Sequence, residues 1–151
     1  MPPYTIRSAR VSDRDTLVAF TLNEAREAEG AHLDVVRVTN GVQAAFETSP
    51  PARYWVAEAE GHVIASTSIV TEWSDFHGAE YWWVQSIYIV PEHRGSGLLS
   101  QLLDYLASEA QTAGALDLRL YVHNENGRAI KAYRRCGFAE APYVIMRRGL
   151  R

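Results

Sequence analysis

The densest chemistry in the sequence lies in Pro91-Glu92-His93-Arg94-Gly95-Ser96-Gly97-Leu98-Leu99, a glycine-rich stretch between a β-type run and a helical one. Two glycines let a backbone approach a ligand without side-chain obstruction. The unpaired N–H groups of a first helical turn then form an anion site suited to a pyrophosphate. A plain strand-to-helix connection with Gly95 and Gly97 kept for tight packing is the alternative reading. Two other phosphate motifs are excluded. A P-loop needs a Gly-Lys pair, and Lys131, the chain's lysine, does not follow a glycine. A dinucleotide fingerprint starting at Gly95 meets Ser100 where its third glycine belongs, and Asp117 opens a strand instead of closing one.

The surrounding pattern supplies the elements that position this turn. Leu98, Leu99, Leu102, Leu103, Leu106 and Ala110 mark one stripe of a helix that ends near Gly114. Leu116, Leu118, Leu120 and Val122 alternate as a strand, so strand, turn, helix and strand predict a parallel crossover. Upstream, Tyr4–Arg10 reads as a strand, and Ser12-Asp13-Arg14-Asp15 opens a helix that Gly30 stops. A second helix is predicted from Thr39 or Asn40 to Ser49-Pro50. Tyr54–Glu60, His62–Trp73 and Tyr81–Val90 form an antiparallel meander turning at Glu60-Gly61 and over 74–78. Asn126–Cys136 reads as a short helix closed by Gly137, and Ala139–Arg148 as a last strand.

Length and composition bound the rest. At 151 residues, 47% apolar and 22% charged, the chain predicts one globular domain over 1–151 and not a disordered or coiled-coil protein. No apolar run reaches a membrane span, and Met1–Asp13 lacks the pattern of a secretory signal, so a soluble cytoplasmic protein is expected. A net charge of −3 argues against a nucleic-acid partner. The bases concentrate near the end, in Arg128, Lys131, Arg134, Arg135, Arg147, Arg148 and Arg151, which suits an anion or a solvated helix face. Cys136 forms no internal disulfide, and His32, His62, His93 and His123 lack ligand spacing, so no metal is expected.

Two motifs resemble the GNAT superfamily of acetyl-CoA-dependent N-acetyltransferases. The stretch from Arg94 to Leu98 follows the family's Q/R-x-x-G-x-G/A signature, which Leu99 leaves at its final position. Asn126, Ala129, Tyr133, Gly137 and Phe138 match the ending Asn-x-x-Ala-x-x-x-Tyr-x-x-x-Gly-Phe without a gap. The resemblance implies an α/β fold of α+β type, with a mixed, mostly antiparallel sheet of six to seven strands and about four helices. It also implies acetyl-CoA bound by Ile87, Ile89, Arg94, Gly95, Ser96, Gly97, Leu98, Leu99, Asn126 and Tyr133, with Arg128, Arg134 or Arg135 meeting its 3′-phosphate.

The activity so implied is transfer of an acetyl group to a primary amine of a small molecule or peptide by direct attack on the thioester. The Ile87 N–H would stabilise the oxyanion and Tyr133 would protonate the leaving thiolate. Read without the family, Tyr133 and the two isoleucines serve equally as core, and Asn126 as a helix cap. The amine's proton requires a base. The stretch before the turn, Tyr81-Trp82-Trp83-Val84-Gln85-Ser86, carries no carboxylate, and Glu80 precedes it. Glu24, Glu27, Glu72, Asp75 and His77 are further candidates for that base or for a cation-binding group. Trp73, Phe76, Tyr81, Trp82 and Trp83 read either as an aromatic wall for a cationic amine or as cover for two sheet faces. Glu24, Glu27, Trp73, Trp83 and Gln85 are the acceptor-binding candidates. A non-catalytic acyl-CoA-binding module with a sensor role is the second reading, and a homodimer is compatible with both.

Overall fold

Successive residues of one strand sort the core onto two faces of a sheet. Val56 packs with Leu17, Val18 and Val42, whereas its neighbour Ala57 packs with Leu98, Leu102, Ala65 and Ile64. The computed structural model describes residues 4–151, so Met1–Pro3, the start of the stretch read for a signal, lie outside the described residues. Two compact units divide the chain, one ending at Tyr121 and the other running from Val122 to Arg151.

The first unit holds five strands in the order β1 (Thr5–Ser8), β2 (Arg53–Ala59), β3 (His62–Ser74), β4 (Ala79–Ile89) and β5 (Leu118–Leu120). The first three pairings are antiparallel, and β4–β5 is parallel. Helices α1 (Arg14–Glu29) and α2 (Val35–Ala44) cover the Val56 face, and α3 (Leu98–Thr112) covers the other. Glu60 and Gly61 both adopt left-handed backbone, at φ 52° and 79°, which turns β2 into β3 with the right strand twist. Among the described residues no helix is long and apolar enough to cross a membrane.

One irregularity reorients the second half of β4. Ser68 opposes Ser86, but the next β3 residue, Ile69, opposes Val84, so Gln85 is bulged out. The bulge keeps Trp82 and Val84 on the α3 face while turning Ser86 and Tyr88 to the α1 face. Among the described residues, pairing with β5 on the other edge of β4 covers Trp82–Val84 and no strand is paired there beyond Val84.

A partly buried ion network anchors the start of α1. Arg7 holds Asp13 through two hydrogen bonds, at 2.8 and 3.1 Å, and Glu58 at 2.7 Å. Asp13 also accepts from the Arg10 N–H at 2.7 Å, and Arg7 holds its carboxyl below the ordinary range. These contacts join β1, β2 and the helix entry.

Three expectations are corrected. Helix α2 begins at Val35, not Thr39 or Asn40, because the Asp34 side chain accepts from the N–H groups of Val36 and Arg37. Strand β5 is three residues long. In the second unit, α4 (Gly127–Arg135) is capped by Asn126, whose side chain accepts from Ala129 N–H at 3.1 Å. The strand expected over Ala139–Arg148 is not formed there, so among the described residues the sheet has five strands and not six to seven. Pro142, in the middle of that segment, has no N–H to give to a ladder.

Leu102 is fully buried at the centre of the α3 face. Leu102→Ala is expected to cost about 2–5 kcal/mol through lost transfer energy and a residual cavity, read as a fall in the urea midpoint at unchanged m-value.

Candidate active site

The turn before α3 is shaped by backbone conformation. Gly95 and Gly97 lie at φ 73° and 85°, and an added Cβ at either would meet no protein atom within 4 Å. Left-handed backbone therefore selects these glycines, and open space lies in front of them. Gly97 is the N-cap of α3 and brings no side-chain cap, so the first-turn N–H groups have no capping side chain. Ser96 Oγ donates to His93 O at 2.6 Å and accepts from the Tyr4 hydroxyl at 3.0 Å, tying the turn to the chain's start.

The side chains flanking the turn are directed differently. Leu98 is buried in the core and Leu99 is half-buried, so their contribution to the turn's open side is backbone. Arg94 donates from Nε to Ile89 O at 2.8 Å and pairs with Glu27 of α1 at 2.8 Å. Its guanidinium also lies 5.3 Å from the centre of the Tyr88 ring, and the Tyr88 hydroxyl reaches Glu27 at 3.4 Å. Arg94 thus braces the turn against α1.

Helix α1 delivers a second carboxylate one turn earlier, on the same face. Glu24 accepts the Ile87 N–H at 3.3 Å, on the unpaired stretch of β4. Burial pushes its carboxyl up to about 7, opposed by that hydrogen bond and helped by the negative charge of Glu29. Tyr54, Ser68 and Thr21 lie together nearby, and the Tyr54 phenol is raised by burial. Ser68 Oγ and Ser86 Oγ are 2.6 Å apart, and Thr67 Oγ1 donates to Ser86 O at 2.9 Å. No motif marks Tyr54, Ser68 or Ser86; the register of β2, β3 and β4 brings them together.

The remaining candidates are spread apart. Glu80 stands seven residues before Ile87 on β4, about 23 Å along an extended strand. It lines a cleft of about 440 Å³ with Arg53, Trp73, Trp82 and the Ala113–Ala115 turn. Trp73, 65% exposed, opposes Glu80 on β3 and shares that end of the sheet. Trp83 faces the other way, onto the Glu24 side, where it stacks on Tyr121 at 4.3 Å and donates to Glu72 at 2.9 Å. Gln85 is exposed at the bulge. The aromatic run therefore covers two faces: Arg53 lies over Trp82 at 4.5 Å on one, and Arg119 over Tyr81 at 3.5 Å on the other.

In the second unit, Tyr133 lies on α4 with its ring edge against Phe138, centroids 6.0 Å apart. Asn126 caps the same helix and Gly137, at φ 91°, follows it, so the spacing of this motif is the spacing of a capped helix and its exit.

The sequence model of the acetyltransferase (GNAT) family matches residues 17–138. The chain belongs to the GNAT family. That match runs through the glycine turn, the open edge of β4 and the capped α4. A crystal structure of a possible acetyltransferase from Clostridium difficile 630 shares the fold at TM-score 0.91 and 31% identity, over 97% of each chain. A predicted acetyltransferase with acetyl-CoA from Clostridium acetobutylicum has the same fold at TM-score 0.76 and 19% identity, covering 97% of this chain and 96% of that one. The L-methionine sulfoximine/L-methionine sulfone acetyltransferase of Salmonella typhimurium is 30% identical over 97 residues. That alignment covers 62% of this chain and 56% of the relative, so the chain spans little more than half of that protein's length.

Within this GNAT domain Glu24 ties stability to pH. Its folded carboxyl titrates near 7, above the ordinary 4.5, so the folded state holds the proton more tightly and stability falls as pH rises through that window. Glu24→Gln removes this dependence. The variant is expected to melt above wild type at pH 8, with the gap closing at pH 5; a gap of equal size at both pH values would contradict the assignment.

Proposed function

We propose that the chain is an acetyl-CoA-dependent N-acetyltransferase that acetylates a primary amine by direct attack on the thioester, with residues 1–151 working as one domain. The observation that carries this reading is the open edge of β4 past Val84, which presents the Ile87 N–H beside a carboxylate and leads into the glycine turn. Bound acetyl-CoA supplies an activated acyl carbon and a thiolate leaving group. Backbone groups of Ile87 and Ile89 would hold the pantetheine arm as a strand is held. The N–H groups from Gly95 through Leu99 would take the pyrophosphate, favoured by the positive end of the α3 dipole. The space in front of Gly95 and Gly97 fits that role.

The Ile87 N–H would meet negative charge developing on the acyl oxygen, an effect worth about 3 kcal/mol for one well-placed donor. By the family motif, Tyr133 would give its proton to the departing sulfur and Asn126 would contact the cofactor. A phenol near 10 and a thiol near 8.5 are close enough for that transfer without large tuning. The acceptor class we infer is a small primary amine, in keeping with the amino-acid derivatives named for the Salmonella relative. Trp83 and Glu72, joined on the Glu24 side of the sheet, would contact it.

A ligand bound only by the folded state raises the melting midpoint, by about 2.7 kcal/mol of stability at a hundred times Kd. Acetyl-CoA is expected to raise Tm in wild type and not in Gly97→Trp, each measured against its own ligand-free baseline. Tyr133→Phe is expected to keep the rise while lowering kcat by about 10²-fold or more. No rise with millimolar acetyl-CoA would overturn the reading.

A further inference from the structure

The N–H of Ile87 carries one hydrogen, and the Glu24 carboxylate already occupies it at 3.3 Å. Under the function proposed above, on which this inference rests, the acyl oxygen needs the same donor. The two oxygens therefore compete for one site. Any acyl oxygen bonded to Ile87 N–H lies within a few ångströms of Glu24, which is where an amine attacking the acyl carbon has to approach.

Three other glutamate candidates are committed or distant. Glu27 pairs with Arg94, Glu72 accepts from Trp83, and Glu80 is about 23 Å away along β4. We propose that Glu24 is the general base that takes the acceptor's proton, and that it stays on the Ile87 N–H until the acyl oxygen claims that donor.

The proton step is simple. The ammonium form of the acceptor gives one proton to the Glu24 carboxylate, leaving a neutral amine with a free lone pair and a neutral carboxyl. Glu24 is therefore uncharged when negative charge builds on the neighbouring acyl oxygen, so the two do not repel. The Ile87 hydrogen bond favours the charged carboxylate, and its loss makes Glu24 a stronger base. The groups facing Glu24 reinforce this. Glu29 on its own helix repels the anion, Tyr54 on β2 is neutral with a raised phenol, and β3 and β4 bring Ser68 and Ser86. Proton affinity thus rises only with the acyl group in place, which couples deprotonation of the acceptor to cofactor binding.

Linkage requires the reverse as well: protonated Glu24 releases the donor, so an acyl carbonyl binds more tightly at low pH. The test uses the carba analogue of acetyl-CoA, in which a methylene replaces the thioester sulfur and the carbonyl is kept, with free CoA as the control lacking a carbonyl. Titration calorimetry on the full chain should give analogue binding about fivefold tighter at pH 6 than at pH 8 in wild type, beyond any change seen with CoA. Glu24→Gln should abolish that excess and lower kcat/KM by about 10²–10⁴-fold, with loss of the acidic limb near pH 7. A melting curve of the variant establishes that it is folded. An excess equal in wild type and variant, or a variant retaining kcat/KM within tenfold, overturns this inference and leaves the proposed function standing. Failure of both CoA and the analogue to bind wild type overturns the function itself.

Discussion

The parallel ladder between β4 and β5 ends at Val84 and Leu120, and the candidate site depends on that ending. A backbone N–H removed from bulk water must find an acceptor, so an edge strand without a neighbour is either solvated or capped by something else. Here α1 supplies the cap at Ile87, through Glu24. The bulge at Gln85 makes this geometry workable, because it turns Ser86 and Tyr88 toward α1 while Trp82 and Val84 stay in the opposite core.

Helix α1 places two carboxylates, three residues apart, against one strand and one turn, and their surroundings divide the work between them. Glu27 meets a guanidinium near the surface and braces Arg94. Glu24 meets a single backbone N–H in a half-buried setting, where desolvation outweighs the hydrogen bond and the carboxyl titrates near neutrality. Identical side chains on one helix face thus acquire different chemistry. A carboxylate poised near 7 is suited to proton transfer at neutral pH in a way that an ordinary one is not. The Arg7–Asp13–Glu58 network fixes where α1 begins, and so sets how far along β4 its carboxylates reach.

Much of this was legible in the residues themselves. The apolar stripe from Leu98 to Ala110, the glycine turn before it, the Glu60-Gly61 hairpin and the Asn126 cap all lie where the residues predict, because each depends on groups within a few residues of one another. The Asp34 cap was equally local and could have moved the start of α2 to Val35. The last strand over Ala139–Arg148 was not of this kind. The apolar run Tyr143–Met146 describes a segment able to pair, and pairing needs a second strand that no local pattern supplies.

What only the tertiary structure decided is which carboxylate stands at the edge of β4 past Val84 and which aromatics share its face. Glu80 is close to Ile87 in sequence yet far along an extended strand, whereas Glu24, 63 residues earlier, touches it. Trp82 and Trp83 are neighbours in the chain and lie on opposite faces of the sheet. Local spacing determines the type of an element and the direction its residues alternate. Contact between distant elements depends on strand register, on a single bulged residue and on where a helix is anchored, and these follow from packing the whole sheet at once.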